Sequence, residues 1–536
     1  MLLLWLSGCR SDGAPPPTTT PSAAIASPSP ASPRPLGSPI DADRVIDLAT
    51  SKPATVVVGA DAGDLRSDLP ALVTGDFNGD GAADILLGAR FGDGPDNRRL
   101  DAGEAYVIFG SKGMPATLDL RAGDQDITFW GRAPGDSLGF SAATGDLNAD
   151  GVDDIVLGAP FASATGDRGS AGGVVYVFFG GTGLPAQADL SSSSPDVLLE
   201  SPGPSSFFGD SVATADVNGD GVADLIVGST FAAPPSGAAP ASQAGAVYVV
   251  FGGSKWPAAL HMAKGEYDLA VYGAENLDEL GDTVASGDVN GDGIDDILMV
   301  AEAADGPDNA RDVAAEVYAV FGSADLGGDR FVAHGDQDLT VLGADPQDTL
   351  GFSLAAGDVT GDGIDDLVMG ARLDDGPDNQ HDEAGAVYVL PGSRRLPALV
   401  DLAQRPAEVL YLYGGDDGDL LSIVTAGDVQ GDGAPELLAG TGLGDGRGNE
   451  RQDAGELYVV DAGVLSSLSG PASIDSVRLP LVVAGARPGD QLGTATATAD
   501  VNGDGRPELL VMAVNAGSPD GTRPDVGLVY VLSLTP

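Results

Sequence analysis

One nine-residue pattern recurs seven times, Asp-x-Asn-x-Asp-Gly-x-x-Asp followed by an apolar run. Position 1 is Asp76, Asp146, Asp216, Asp288, Asp358, Asp428 and Asp500. Position 3 is Asn78, Asn148, Asn218, Asn290, Thr360, Gln430 and Asn502, all bearing oxygen. Position 5 is Asp80, Asp150, Asp220, Asp292, Asp362, Asp432 and Asp504, and position 6 is always Gly. Position 9 is Asp84, Asp154, Asp224, Asp296, Asp366, Glu436 and Glu508. Calcium takes six to eight hard oxygen ligands at about 2.3–2.6 Å, and a tight loop can supply them from positions 1, 3, 5, a backbone carbonyl at 7, and 9. Glycine at position 6 permits the sharp turn. Three carboxylates this close repel one another unless a cation sits among them. The loops hold no thiol or imidazole, which argues against softer metals, and magnesium usually keeps several waters. Up to seven calcium ions are therefore expected. The plainer explanation is that Asn-Gly-Asp-Gly simply makes good hairpin turns. An EF-hand is disfavoured: position 12 of the first loop is Leu87, inside a strand-like run.

The elements that position these loops follow from their spacing. Successive copies start 70, 70, 72, 70, 70 and 72 residues apart. In the second unit, Asp126 to Trp130 and Leu138-Gly139-Phe140-Ser141 precede the loop. Ile155 to Pro160 and Gly173 to Gly180 follow it. Short β-branched and aromatic runs bounded by Gly, Asp and Pro read as strands. Four such strands per unit, repeated radially, predict an all-β, seven-bladed propeller of four-stranded antiparallel blades. The last unit ends on Val529-Tyr530-Val531-Leu532 without a fourth strand, whereas Thr55-Val56-Val57-Val58 stands unpaired ahead of the first loop. That N-terminal strand is expected to close the last blade and remove a sheet edge.

These units resemble the FG-GAP repeats of integrin α-subunit propellers. The likeness is carried by Leu138-Gly139-Phe140-Ser141, Phe208-Gly209-Asp210-Ser211, Leu157-Gly158-Ala159-Pro160, Leu87-Gly88-Ala89-Arg90, the acidic loop, and the strand Gly245 to Val249. It covers roughly residues 45 to 534 and is weakest in the first and sixth units, at Leu69-Pro70-Ala71-Leu72 and Leu420-Leu421-Ser422-Ile423. The resemblance implies calcium on one face, in the hairpin loops, and ligands met on the opposite face. A fold of this kind does not fix a function.

With 80 Asp+Glu against 26 Lys+Arg, the formal charge is −54, a surface that repels nucleic acid and anionic lipid. Seven calcium ions would still leave about −40. The single cysteine, Cys9, rules out an internal disulfide. Leu6-Ser7-Gly8-Cys9 resembles a bacterial lipoprotein box, which implies lipidation of Cys9, although a basic n-region and a full apolar stretch are missing. Residues 1–9 are thus expected to be a shortened lipoprotein signal, 10–43 a Pro/Ser/Ala/Thr-rich disordered linker, and 44–536 the propeller. The expected setting is extracytoplasmic, on a bacterial surface or a periplasm-facing membrane held through a lipid anchor, and a monomer is expected.

Three loops carry Asp-Gly-Pro-Asp-Asn, at Asp93 to Asn97, Asp305 to Asn309 and Asp375 to Asn379, with a looser version at Gly444 to Asn449. Turn formation explains them, and a second cation or ligand role is the alternative. His261, His334 and His381 fall in different units and read as exposed loop residues. Trp130 sits in a strand pattern and reads as core. Trp130 and Trp256 offer a sugar-stacking face as the alternative. Nothing resembles a nucleophile elbow or a zinc-binding helix. The reading that results is a non-enzymatic calcium-binding scaffold for a surface protein or glycan. Its rivals are a metal-dependent enzyme on polysaccharide or phosphoester, which acids or aromatics confined to particular blades would favour, and a purely structural envelope protein.

Overall fold

The computed structural model describes residues 42–67, 69–163, 172–235 and 243–534, all within one compact unit, Ser38–Pro536. Their strands form seven sheets, one per acidic loop, numbered here as blades 1 to 7 in loop order. Blade 2 illustrates the plan. Ala142–Gly145, Asp154–Ala159, Val174–Phe178 and Val197–Glu200 pair antiparallel in that order. The second and third strands are buried along their whole length. A blade stands against each face, which is why they read as continuous apolar runs rather than as alternating ones.

Each blade also has a fifth strand, which the sequence pattern did not suggest. In blade 2 it is Ala259–His261, running parallel to Val197–Glu200. It comes from the connection between the third and fourth strands of blade 3, so each blade covers the outer edge of its predecessor. An uncovered edge is a template for unwanted pairing.

Closure occurs as expected and goes further. Thr55–Val58 pairs antiparallel with the last strand, Leu528–Ser533, placing Thr55 opposite Val531 and Val58 opposite Leu528. Upstream, Ala42–Asp47 runs parallel along Leu479–Ala484 of blade 6. The N-terminal stretch therefore supplies the fifth strand of blade 6 and the fourth of blade 7. This first strand begins two residues inside the segment expected to be linker. Cys9 and the rest of that linker lie outside the described residues.

The apolar core is divided into seven clusters, one between each pair of neighbouring blades. Across four of these junctions two glycines of the repeat come into backbone contact. A Cβ on Gly158 would lie 2.1 Å from the carbonyl oxygen of Gly209 in the next blade. The same holds for Gly228 against Gly281 at 2.0 Å and Gly440 against Gly493 at 2.1 Å. The paired glycines of the Leu/Phe-Gly and Gly-Ala segments thus set the spacing between blades.

Two predictions follow from this packing. Deleting residues 45–60 strips the covering strand from blade 6 and the closing strand from blade 7, so thermal melting should fall sharply; an unchanged melt would reject closure by this segment. Gly228→Ala drives a methyl into a carbonyl and should cost about 3 kcal/mol or more. Gly113→Ala has φ +85° and open space around it, and should cost only about 1 kcal/mol. Comparing the two melting temperatures checks this.

Candidate cation loops and the opposite face

The seven hairpins share one geometry, set by their own carboxylates. Position 1 accepts backbone N–H groups from the turn: Asp80 and Gly81 donate to Asp76 at 3.0 and 2.8 Å. The corresponding bonds recur at Asp146, Asp216, Asp288, Asp358, Asp428 and Asp500. Position 5 accepts the N–H of position 7, as from Ala82 to Asp80 at 3.0 Å. This repeats at Asp150, Asp220, Asp292, Asp362, Asp432 and Asp504. A carboxylate has about four lone-pair sites, so these bonds leave acceptor capacity at both positions.

Position 9 is the buried member. Asp84, Asp154, Asp224, Asp296 and Asp366 are wholly buried, and Glu436 and Glu508 nearly so. Asp84 ties the hairpin to the rest of its blade, accepting from Phe77 N at 2.9 Å and from Gly110 N, beyond the third strand, at 2.8 Å. Position 3 leans on it: Asn78, Asn148, Asn218 and Asn290 turn their amide nitrogens toward the position-9 carboxylate, and Thr360 turns its hydroxyl. Asn502 donates to Glu508 in the same way. In the sixth loop both partners are one methylene longer and the contact survives, with Gln430 donating to Glu436 at 2.6 Å.

Two acceptor oxygens in these loops are buried without a partner: Oδ1 of Asn148 at position 3 and Oε2 of Glu508 at position 9. An unsatisfied buried acceptor is costly, and these are the atoms an oxygen-seeking cation would take, so the residues fit calcium. Among the described residues no three acidic, histidine or cysteine side chains close to metal-ligand distance. Burial pushes Asp84, Asp154, Asp224 and Asp296 up to about 7 and Asp366 to about 6, against their backbone hydrogen bonds. The charges at positions 1 and 5 push Asp84, Asp154, Asp224 and Asp296 in the same direction.

Neighbouring loops are stitched together. Asp76 N donates to Asp153 Oδ2 at 2.9 Å, and Asp153 N returns to the Asp76 carbonyl at 3.2 Å. Trp256 is here too, its indole N–H on the Leu147 carbonyl at 2.9 Å. It therefore ties blades on the loop face, and Trp130 is half-buried in its strand.

The Asp-Gly-Pro-Asp-Asn loops sit at the other ends of the second and third strands. They do more than turn. Six residues after the first Asp, an arginine reaches the carboxylate that ends the next blade's covering strand. Arg99 meets Asp189, Arg311 grips Asp401 through two bonds at 2.7 and 2.9 Å, and Arg451 meets Asp47 at 2.6 Å. Arg523 of blade 7 makes the same clamp on Asp119 at 2.7 Å. The loop asparagine holds the preceding blade: Asn97 donates to Asp61 at 3.1 Å and Asn309 to Glu275 at 2.9 Å. The Arg spacing was visible in the sequence; its partners depend on the unsuspected fifth strand. In blade 5 the clamp position is His381, which lies against Tyr413. His261 ends a covering strand against Glu200. Both are half-buried, and His334 alone is the exposed residue expected.

On this face a row of half-buried phenylalanines crosses blades 1 to 3. Phe140, Phe161, Phe207 and Phe231 meet edge-to-face at 5.9, 5.3 and 5.1 Å. Arg90 lies over Phe91 and Phe140 at 4.6 and 5.0 Å.

The FG-GAP repeat family matches residues 70–108, 138–178, 208–250, 350–390 and 492–532. The first unit is matched despite its altered opening. The fourth and sixth are not; Val300 stands at the second-glycine position in blade 4 and Ser422 opens blade 6, although Met512 stands at that glycine position in the matched blade 7. Phosphatidylinositol-glycan-specific phospholipase D of Bos taurus is 36% identical over 213 residues, 38% of this chain and 24% of that protein. Integrin alpha pat-2 of Caenorhabditis elegans is 30% identical over 248 residues, 44% of this chain and 18% of that one. Integrin alpha-PS2 of Drosophila melanogaster is 28% identical over 284 residues, 50% and 18% respectively. The chain thus matches no more than about a quarter of the length of these relatives. It is a seven-bladed β-propeller in which five blades match FG-GAP repeats, homologous through its blades to integrin α subunits.

Proposed function

We propose that the protein is a non-enzymatic, extracytoplasmic scaffold whose hairpins hold up to seven calcium ions and whose opposite face binds a surface protein or glycan. A lipid on Cys9 would anchor it, with the Pro-rich segment as spacer. The calcium reading rests on one observation above the others: seven loops of varied sequence keep the same arrangement of oxygens, and in two of them, at Asn148 and Glu508, a buried acceptor of that arrangement is left unpaired. Ligand binding is supported by the phenylalanine row, since half-exposed rings beside a guanidinium give contact area at low entropic cost and stack on sugar or peptide alike. The relatives that are integrin α subunits point the same way.

A second reading has specific support. The phenylalanine row of blades 1 to 3 and acids confined to some blades on the same face approach the pattern named above for a metal-dependent enzyme, with blade 5 repeating one ring and guanidinium at Phe352 and Arg372. Turnover of a phosphoester or polysaccharide by the calcium-loaded protein would establish it.

Chelation should lower the melting temperature by ten degrees or more, with magnesium restoring little of it. Each ion present at a hundred times its dissociation constant adds about 2.7 kcal/mol. A melt indifferent to chelator would remove structural calcium.

The pH dependence supplies a sign test. Without cation, a position-9 carboxyl near 7 in the fold and about 4 unfolded binds more protons when folded. Its stabilising contribution is then complete at acid pH and lost as pH rises from about 4 to 7. In chelator the protein should therefore melt higher at pH 5 than at pH 8. In calcium, protons compete with the ion and the order should reverse. The same slope under both conditions would contradict ion binding at these carboxylates.

For the ligand face, Phe161→Ala with Phe207→Ala should abolish binding to whichever partner a glycan and surface-protein array reveals, while leaving the calcium-dependent melt unchanged. Undiminished binding would clear that face of the role.

A further inference from the structure

Blades 1, 4 and 6 share an arrangement on the face opposite the hairpins. Glu104, Glu316 and Glu456 head their third strands. Each accepts the hydroxyl of the tyrosine two residues on, Tyr106, Tyr318 and Tyr458, the last at 2.7 Å. The loop arriving from the preceding blade brings a second acid: Asp61, Glu275 and Asp416. Blades 2, 3 and 7 lack both. Their third strands open on Val174, Ala246 and Leu528, and the loop position holds Ala133, Gly203 and Arg487. Blade 5 has the loop acid, Asp345, without the strand acid, its third strand opening on Ala386; in the other six blades the two acids are present together or absent together.

The junctions differ in what faces the pair. Beside blade 1, Arg121 is the second residue of the short helical turn that follows the covering strand, and it pairs with Asp61 at 3.2 Å. Beside blade 6, the second residue of the corresponding turn is Asp475. A built-in cation is thus replaced by a third carboxylate. Gly415 makes room for it: a Cβ there would lie 2.2 Å from Asp475 Oδ2, and blades 1 and 4 have Ala60 and Ala274 at that position. Glu456 is 3% exposed, and its Oε1 has no hydrogen-bond partner. The nearby Arg451 is engaged by Asp47 at 2.6 Å. Burial, with the charges of Asp475 and Asp416, pushes Glu456 up to about 7 despite its bond from Tyr458. Burial and Asp416 push Asp475 to about 6.

We propose that Asp416, Glu456 and Asp475 form a divalent-cation site between blades 5 and 6, separate from the hairpin loops. Three carboxylates with completing waters suit a hard ion of the calcium or magnesium type. Among the described residues no three acidic side chains close to metal-ligand distance, so the ion would have to draw these three together and compete with Asn449 for Asp416.

The test is an ion count on the whole chain, dialysed to equilibrium against calcium and measured by elemental mass spectrometry. Glu456→Gln, nearly isosteric and still able to accept from Tyr458, should bind one ion fewer than the natural protein. Asp475→Arg, which copies the arginine of blade 1, should also bind one fewer and should raise the melting temperature in chelator. Asp432→Asn, in the sixth hairpin, is the control. A count lowered by Asp432→Asn but not by Glu456→Gln removes the site and leaves the hairpin reading standing. A count lowered by Glu456→Gln but not by Asp432→Asn keeps the site and removes the sixth hairpin. Wild-type counts in both Glu456→Gln and Asp475→Arg overturn the proposal; should Asp475→Arg fail to fold, Glu456→Gln decides alone.

Discussion

Every blade of this protein buries its two faces against other blades and against nothing else, so the structure depends on how closely neighbouring sheets can approach. That distance is set where glycine meets carbonyl: Gly158 on Gly209, Gly228 on Gly281, Gly440 on Gly493. The signature of the repeat is therefore a packing rule before it is a functional one. Where the rule lapses the contact is rebuilt. Val300 in blade 4 faces Gly351, which offers it the room its own branch needs. Gly370 meets the backbone of Ser422 rather than a second glycine. Val300 and Ser422 fall in units that the repeat family does not match, whereas the junction of Met512 with blade 1 joins two units that it does.

Ring closure follows from the same constraint. A stack of sheets with apolar faces on both sides leaves two such faces bare at its ends, and only their meeting can cover them. The N-terminal stretch does this with Thr55–Val58 and Ala42–Asp47. Arg451 and Arg523 then bind Asp47 and Asp119, fixing the clasp with the same ion pairs that join ordinary blades. These pairs are largely shielded, so they hold geometry more firmly than exposed pairs would.

Much of this was legible in the residues. Seven acidic loops at a steady period gave the blade count, and Thr55 to Val58 gave the closing strand, because strand chemistry and hairpin chemistry are local. The fifth strands were hidden: Gln187–Asp189 or Leu399–Asp401 are three residues long and owe their extended form to the neighbouring blade, not to their own propensity. The arginine clamps were hidden for the same reason, since Arg311 and Asp401 are 90 residues apart and meet only once a fifth strand exists. In the loops the sequence identified the oxygen donors but not their division of labour. Position 9 is sunk into the blade and braces the hairpin, while positions 1 and 5 shape the turn and keep acceptor capacity outward.

The distribution of charge separates the two faces more than the near-identity of the blades suggests. On the hairpin face all seven blades repeat one acidic arrangement, and a seven-fold pattern of that kind suits a structural ion better than a selective contact. On the other face blades 1 to 3 carry a row of rings, while blades 1, 4 and 6 carry acid pairs answered by Arg121 in one place and opposed by Asp475 in another. A surface that varies from blade to blade, on a frame that does not, can change what it recognises without disturbing what holds it together. The glycine contacts and hairpin carboxylates are fixed by packing and electrostatics. The loops between the second and third strands need only preserve their clamps, and that freedom is why the specificity of this propeller should be sought there.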